Sequence, residues 1–244
     1  MTCFWRSILS VSAIMLLWTP WSAPALADNL TIPQLLERIK QNESKVKDMK
    51  ATMTTTIYGG PQGSKPMVQK GTIWSKAPDK YKVELSTPFR QITITRGDKM
   101  KVIQPDSGQS FVQDLSKLEG YSGLPQRGQA LEPSKIMEKL DLKIASQSSQ
   151  EVVLEGTPKE GKETMGKLHI ALDGERLIPT RVVLFNKEGK PMTESTLSYK
   201  QVGNAWIPHR NRSTVSLPSG TLVVEMTLDD IAVNQGILDS VFDI

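Results

Sequence analysis

The sequence predicts a mainly β, α+β protein in which a curled antiparallel sheet forms an unclosed barrel with a helical lid. Beyond about residue 49, apolar residues alternate with polar ones in short runs that are separated by turn sequences such as Gly97-Asp98 and Gly203-Asn204. Only one long and one short helix are predicted. A sheet of roughly a dozen strands must therefore curl to protect its edges and its apolar face.

The long helix is predicted over residues 31–49. Thr31 and Gln34 form a capping-box pair at its start, and Pro33 lies in the first turn, where a missing N–H costs little. The second helix is predicted over residues 133–140. Both helices are expected to lie across the concave side of the barrel, with apolar residues at helical spacing facing the sheet. The predicted lid residues are Leu35, Leu36 and Ile39.

Each predicted strand shows one polar and one apolar face. An ordinary core, in which helix and sheet bury each other, is one interpretation of the apolar face. A face built from so many strands is wider than one helix can cover, so an apolar cavity for a ligand is the more specific interpretation. Ile94 is expected inside this cavity and Lys82 outside it. The predicted cavity residues are Trp74, Tyr81, Val83, Leu85, Ile92, Ile94, Met100 and Val102.

The first 27 residues are typical of a cleaved signal peptide. Arg6 supplies positive charge, Ile8 to Trp18 is apolar but short for a membrane span, and Ala25-Leu26-Ala27 places small residues at the cleavage-specifying positions. Residues 28–244 are then expected to form a single domain.

The only cysteine, Cys3, lies within that segment. The mature chain therefore has no disulfide, and no cysteine to which a lipid could be attached. We expect a soluble product in a bacterial periplasm.

Composition and motifs argue against several function classes. The chain has 30 basic and 26 acidic residues and a formal net charge of +4, so it lacks the strong basic character of a nucleic-acid-binding protein. His169 and His209 are far apart, and no G-x-S-x-G or H-E-x-x-H motif occurs. We predict no enzymatic activity, no metal and no cofactor. A hydrolase would need a cluster of catalytic groups that the sequence does not show.

A small basic stretch lies in the run WIPHRNR. Its most economical interpretation is a solvated strand face. Contact with an acidic partner or with lipid headgroups is the alternative, and the candidate residues are His209, Arg210 and Arg212.

The order of these elements resembles the LolA-like periplasmic carriers of outer-membrane lipoproteins and the outer membrane lipoprotein-sorting proteins. The similarity runs through VKDMKATMTTTI, GTIWSKAPDKYKVEL and ITITRGDKMKVIQPDSGQ, and ends with the IP-x-R and LDSVFDI segments. The residues that match the family pattern are Gly71, Ile73, Trp74, Lys76, Pro78, Tyr81, Gly97, Asp98, Lys99 and Met100.

The resemblance implies a LolA/LolB-like half-barrel that carries the acyl chains of a lipoprotein or related lipid toward the outer membrane as a monomer. It implies an inner-membrane donor complex as a partner, with an outer-membrane acceptor as a further candidate. A periplasmic sensor of lipids or envelope stress, with the same fold, is the alternative. Ala77 stands where the family has an Arg that bonds to the lid. Lys76 or Lys80 is the candidate for that role.

Overall fold

The computed structural model describes residues 30–59, 65–117, 133–159 and 166–244, so the predicted signal segment lies outside the described residues. Within these ranges, no helix is long and apolar enough to cross a membrane. The helices are α1 (Ile32–Glu43) and α2 (Pro133–Glu138), with short 3₁₀ helices at Leu115–Lys117 and Asp239–Phe242. The strands are β1 (Asp48–Tyr58), β2 (Met67–Lys76), β3 (Lys80–Thr87), β4 (Gln91–Arg96), β5 (Lys99–Gln104), β6 (Gln109–Asp114), β7 (Leu140–Gln147), β8 (Glu151–Pro158), β9 (Lys167–Asp173), β10 (Pro179–Phe185), β11 (Pro191–Val202), β12 (Ala205–Leu217) and β13 (Gly220–Val233).

The thirteen described strands form one antiparallel sheet in the order β6-β5-β4-β3-β2-β1-β13-β12-β11-β10-β9-β8-β7. Strands that follow one another in the chain are neighbours in the sheet on each side of a central join. At that join β13, the last strand, pairs with β1, the first. The outer strands β6 and β7 do not pair with each other, so the sheet stays open. The predicted fold class is confirmed.

Helix α1 begins as predicted but ends earlier. The side chain of Gln34 accepts a hydrogen bond from the Thr31 backbone N–H at 2.9 Å, as a capping box requires. The helix ends at Glu43, and β1 already begins at Asp48, so Met49 belongs to the sheet. The polar run in the second half of the predicted helix leaves no apolar face to hold that part against a core.

Gly71 permits close packing between β2 and β3. A Cβ atom at this position would lie 2.2 Å from the backbone oxygen of Glu84, which no side chain could tolerate. The register between the two strands shifts at this point, between Lys70 and Gly71. Glycine is therefore required here for the backbone approach.

Two apolar clusters hold the sheet and helices together. The first joins both helices to β7, β8 and β9 and contains Leu35, Ile39, Met137, Val152, Leu154 and Leu172. The second lies on β1 to β3 and on β12 and β13, and contains Met49, Ala51, Met53, Ile73, Leu85, Ile207 and Leu228. The helices therefore pack on one half of the sheet, and the second half has a separate core.

The C-terminal 3₁₀ helix covers part of β3 and β4. Asp239 accepts a hydrogen bond from Lys76 Nζ at 2.5 Å and another from Lys80 Nζ at 2.8 Å, and Phe242 is fully buried. Asp243 lies 3.8 Å from Arg96. Lys76, Lys80 and Arg96 share one face because they pair in register across β2, β3 and β4.

Asp48 connects the start of β1 to the segment that leaves β13. Its buried carboxylate accepts hydrogen bonds from the backbone N–H groups of Gln235 at 2.8 Å, Gly236 at 2.9 Å and Ile237 at 3.4 Å. The Asn234 N–H donates to the Asp48 carbonyl at 2.8 Å. The buried Asp48 side chain thus holds the start of β1 to the segment that follows β13.

We expect Asp48→Ala to lower the free energy of unfolding by about 2–3 kcal/mol, because three backbone donors would lose a charged acceptor. The melting temperature should fall by roughly 4–12 °C for a chain of this size. Urea and thermal denaturation measure both quantities. The exposed Asp106→Ala is the control and should stay within about 0.5 kcal/mol of wild type. An equal loss in both variants would contradict the anchoring role.

The two lysines beside Asp239 lower its pKa from the ordinary 3.8 to about 2. Because the folded-state pKa is depressed, this ion pair should be fully formed above about pH 4 and lost as the pH falls toward 2. A ¹³C carboxyl titration by NMR should place the Asp239 midpoint near 2. In Lys76→Ala/Lys80→Ala the midpoint should return toward 3.8. A wild-type midpoint already near 3.8 would contradict the ion pair between Asp239 and the two lysines.

Candidate functional site

A cavity of about 510 Å³ lies between the helices and one end of the sheet. Its walls come from the second half of α1, from α2, from the β2–β3 turn, and from the adjoining ends of β1, β10 and β12. The apolar side of its lining consists of Ile39, Val46, Met49, Leu177, Ile178, Trp206 and Ile207.

The two helices form a connected lid over this cavity. Lys40 of α1 pairs with Glu138 of α2 at 2.6 Å. Glu43, the last residue of α1, accepts a hydrogen bond from the Ser134 backbone N–H at 2.8 Å and a second from the Ser134 hydroxyl. Because these contacts lie at both ends of α2, the short helix is held to α1 along its length.

A further contact joins the lid to the sheet. Lys135 Nζ of α2 donates a hydrogen bond to the carbonyl of Pro78 in the β2–β3 turn. Ala77 uses only its backbone here, donating its N–H to the Lys47 carbonyl at 2.9 Å. Lys76 and Lys80, the sequence candidates for a lid contact, instead bind Asp239. The cation that bridges lid and turn is therefore on the lid.

The lining is more basic than acidic. Five lysines and two glutamates contribute to it, namely Lys40, Lys45, Lys47, Lys76, Lys135, Glu43 and Glu138. Tyr199 also lines the cavity, and burial, together with the nearby Glu43 carboxylate, raises its pKa. Its phenol therefore stays neutral at physiological pH. The charged groups thus surround an interior with a mostly apolar wall.

The register of the strands divides the eight predicted cavity residues into two sets. Met49, Ser75 and Tyr81 pair across β1, β2 and β3, and all three line the cavity, which identifies the concave face. Tyr81 is the member of the predicted set that lines the cavity. The predicted residues on the concave face are Tyr81, Val83, Leu85, Met100 and Val102.

The other three predicted residues, Trp74, Ile92 and Ile94, lie on the opposite, convex face. Trp74 pairs with Lys82, and Lys82 pairs with Ile94, so the residue expected outside and the one expected inside share a face. Away from the strand ends, where neighbours such as Ser75 and Lys76 both reach the lining, a cavity on one side of a sheet is lined from that face alone. The face of Ile94 is also the face on which the C-terminal 3₁₀ helix binds Lys80.

The placement of Trp74 has a polar explanation. The ammonium groups of Lys50 and Lys82, its cross-strand neighbours, lie 5.6 Å and 4.9 Å from the centre of its ring. Such cation–π contacts favour an indole beneath lysine side chains. The tryptophan therefore holds together a charged outer surface.

The three predicted lid residues all pack on the first apolar cluster. Leu35 is fully buried, Ile39 is nearly so, and Leu36 packs against the cluster from the side. Ile39 also lines the cavity. The lid is thus anchored on β7 to β9, and its far end reaches over the cavity.

The three residues of the basic stretch on β12 have different surroundings. His209 occupies a bulge opposite β11, and its Nδ1 is buried with no hydrogen-bond partner among the described residues. Arg212 forms an ion pair with Glu225 of β13, and Arg210 is exposed. The described residues contain no group of three or more His, Cys, Asp or Glu side chains that could hold a metal ion.

Several lining residues were not predicted. Met49 and Val46 fall within the predicted long helix. Trp206 and Ile207 come from β12, which reaches the cavity through the β1–β13 join. Ile178 belongs to the family-like IP-x-R segment. That segment is the sequence feature from which this part of the cavity wall could have been predicted.

Comparison with known proteins finds a relative in sequence and several in structure. No protein-family model matches the chain. An outer-membrane lipoprotein carrier protein of Dechloromonas aromatica is 26% identical over 170 residues, covering 69% of this chain and 74% of the relative.

Three crystal structures share the fold at low sequence identity. A DUF1329 family protein from Desulfovibrio piger has a TM-score of 0.68 at 16% identity, covering 86% of this chain and 94% of its own. A LolA superfamily protein from Nitrosomonas europaea has a TM-score of 0.65 at 15% identity, covering 88% of this chain and 99% of its own. A putative outer membrane lipoprotein-sorting protein domain from Vibrio parahaemolyticus has a TM-score of 0.64 at 16% identity, covering 85% of this chain and 95% of its own. The resemblance drawn from the sequence is thus confirmed, and the chain has a LolA-like fold.

Proposed function

We propose that this chain is a periplasmic carrier that shields acyl chains of lipoproteins, or of a related lipid, during transfer toward the outer membrane. The observation that carries the proposal is the apolar-walled cavity of about 510 Å³ beneath a two-helix lid on a LolA-like sheet. The sequence similarity to an outer-membrane lipoprotein carrier protein supports a lipoprotein as the cargo.

The energetics of acyl chains support an enclosed site. Each CH₂ group that leaves an apolar environment for water costs about 0.8 kcal/mol, so a chain of about 15 methylenes costs roughly 12 kcal/mol. An apolar cavity offsets that cost without catalysis or a cofactor. The cavity volume lies within the range of ~300–1,000 Å³ that is typical of small-molecule sites.

The concave face of β3 and β5 extends the proposed site beyond the closed cavity. Val83, Leu85, Met100 and Val102 share the face of Tyr81. We assign them to the wall that longer or additional chains contact when the lid opens. Trp74, Ile92 and Ile94 have no place in this wall because they lie on the other face.

Export and assembly remain part of the proposal. Residues 1–27 would be removed as a signal peptide, and residues 28–244 would act as one monomeric domain. An inner-membrane donor complex, and an outer-membrane acceptor, would load and unload it. Arg210, exposed beside the bulge at His209, is the proposed contact for such a partner or for a headgroup.

Native mass spectrometry of protein purified from periplasm without detergent tests the carrier role. We expect an added mass that corresponds to an acylated protein or a lipid. An unliganded mass, combined with no binding of a purified triacylated lipoprotein in solution, would refute the proposal. Capture of a membrane signalling protein in place of an acylated ligand would favour the sensor.

Filling the cavity should weaken ligand binding without unfolding the protein. Ser75 lines the cavity, so Ser75→Trp would place an indole in that space, and we expect binding of a fluorescent palmitate analogue to weaken at least tenfold, about 1.4 kcal/mol. Ser198 is exposed on β11 and pairs with Arg210, so Ser198→Trp adds the same ring elsewhere. Fluorescence titration measures both. Equal binding in the two variants would place the ligand outside this cavity.

Removing the Lys135 contact should make the lid open more readily. In Lys135→Ala we expect the dissociation rate of the palmitate analogue to rise about tenfold, because one charged hydrogen bond between lid and sheet is lost. Lys135→Arg should restore slow release. Lys139→Ala removes an exposed lysine that follows α2 and serves as the control. Unchanged release from Lys135→Ala in stopped-flow measurements would exclude the contact as a latch.

A further inference from the structure

Large apolar side chains are exposed together at the end of the sheet that lies opposite the cavity. They occupy the ends of the β1–β2 and β12–β13 hairpins and the β3–β4 turn, and each is between 38% and 49% exposed. We call this set the apolar rim. Its members are Tyr58, Met67, Val68, Phe89 and Leu217.

Strand register places these residues side by side. Met67 pairs with Ile57, the neighbour of Tyr58, and Tyr58 pairs with Val223 of β13. Leu217 pairs with Gly220, where β13 begins. On the other side, Thr87 pairs with Lys70, which brings the β3–β4 turn and Phe89 next to the start of β2. The rim therefore spans adjacent hairpin ends.

Both faces of the sheet are apolar at this end. Met67 follows the concave face of Ile57, whereas Val68 and Tyr58 point to the convex face because neighbouring residues in a strand alternate. A protein partner packed on one face would cover only half of the rim. Insertion of the end itself into an apolar medium covers both faces. Tyr is enriched at membrane interfaces, and Phe is common on the membrane-buried face of interfacial helices.

Three cationic side chains lie beside the rim. Lys65 and Lys70 are exposed beside it, and neither has a carboxylate partner within the described ranges. Arg90 follows Phe89 and lies 3.8 Å from Asp106, both largely exposed. Cations beside exposed apolar residues are complementary to an anionic lipid surface.

A strip that is apolar except for Thr55 connects the rim with the cavity along the concave face of β1 and β13. The register pairs Met53 with Leu228, and Ile57 with Val224. Burial decreases along the strip, from Met49, which is 1% exposed and lines the cavity, to the partly exposed Ile57. The eight residue steps between these two positions span about 27 Å of strand.

We propose that the apolar rim docks into the surface of an anionic lipid bilayer, with Lys65, Lys70 and Arg90 contacting lipid headgroups. The strip along β1 and β13 then leads an acyl chain between the bilayer and the cavity. Docking stands on the rim alone, whereas the role of the strip rests on the proposed carrier function.

Vesicle co-sedimentation tests the docking. The wild-type chain should bind vesicles of phosphatidylcholine mixed with phosphatidylglycerol at least tenfold more tightly than vesicles of phosphatidylcholine alone, and binding should weaken with added salt. Tyr58→Ser/Phe89→Ser should lose at least tenfold in affinity. Leu238→Ser removes a side chain that is 71% exposed outside the rim and should bind as wild type does.

A second pair of variants tests the charges. Lys65→Glu/Lys70→Glu should abolish the preference for phosphatidylglycerol. Lys99→Glu/Lys200→Glu changes the net charge equally at exposed positions beside turns at the cavity end, and should retain the preference. Circular dichroism establishes that all four variants are folded.

The proposal is overturned if wild type does not bind either vesicle, if the rim variants bind as tightly as their controls, or if the rim variants instead dissociate a dimer seen by light scattering. Binding of the palmitate analogue without vesicles reports on the cavity and should be unchanged in all four variants. Vesicle binding with no palmitate binding in wild type would refute the carrier function and leave the docking intact.

Discussion

The pairing of β1 with β13 is the interaction on which the rest of the structure depends. It joins two runs of consecutive hairpins, β1 to β6 and β7 to β13, which would otherwise be separate sheets with four open edges. The join also places Met49 of β1 in one apolar cluster with Ile207 of β12, so that both runs contribute to the cavity wall. Asp48 fixes this join from one side, because its carboxylate binds the chain just after β13.

The two faces of the sheet are covered in different ways. On the concave side, both helices pack on β7 to β9 and reach over the cavity, which leaves a space that a single helix does not fill. On the convex side, the C-terminal 3₁₀ helix covers β3 and β4, and lysines cover Trp74. Both arrangements are possible because each face of the sheet carries apolar side chains. The division explains how a chain with few helices has a core and a cavity at once.

Periodicity was sufficient to predict the antiparallel sheet, the start of α1 and the apolar side of each strand. It was not sufficient to predict which apolar sides face the same way. That depends on register, and register depends on turn length, so a change of one residue reverses every side chain of a strand. The β2–β3 turn pairs Trp74 with Lys82 and Ser75 with Tyr81, and so separates two aromatic residues that the sequence had grouped. Trp206 and Ile207 contribute to the cavity because strands distant in sequence pair with each other. No local sequence pattern indicates that pairing.

The position of β13 as the last described strand of the chain also determines when the cavity can form during folding. Its partner β1 lies at the other end of the described chain, so their contacts have nearly the largest sequence separation that the described residues allow. Contacts of this kind form late and make folding slow. Neither the complete cavity wall nor the apolar strip exists before the last strand has docked. A chain still in synthesis therefore lacks the complete cavity, which first appears when the last described strand is in place.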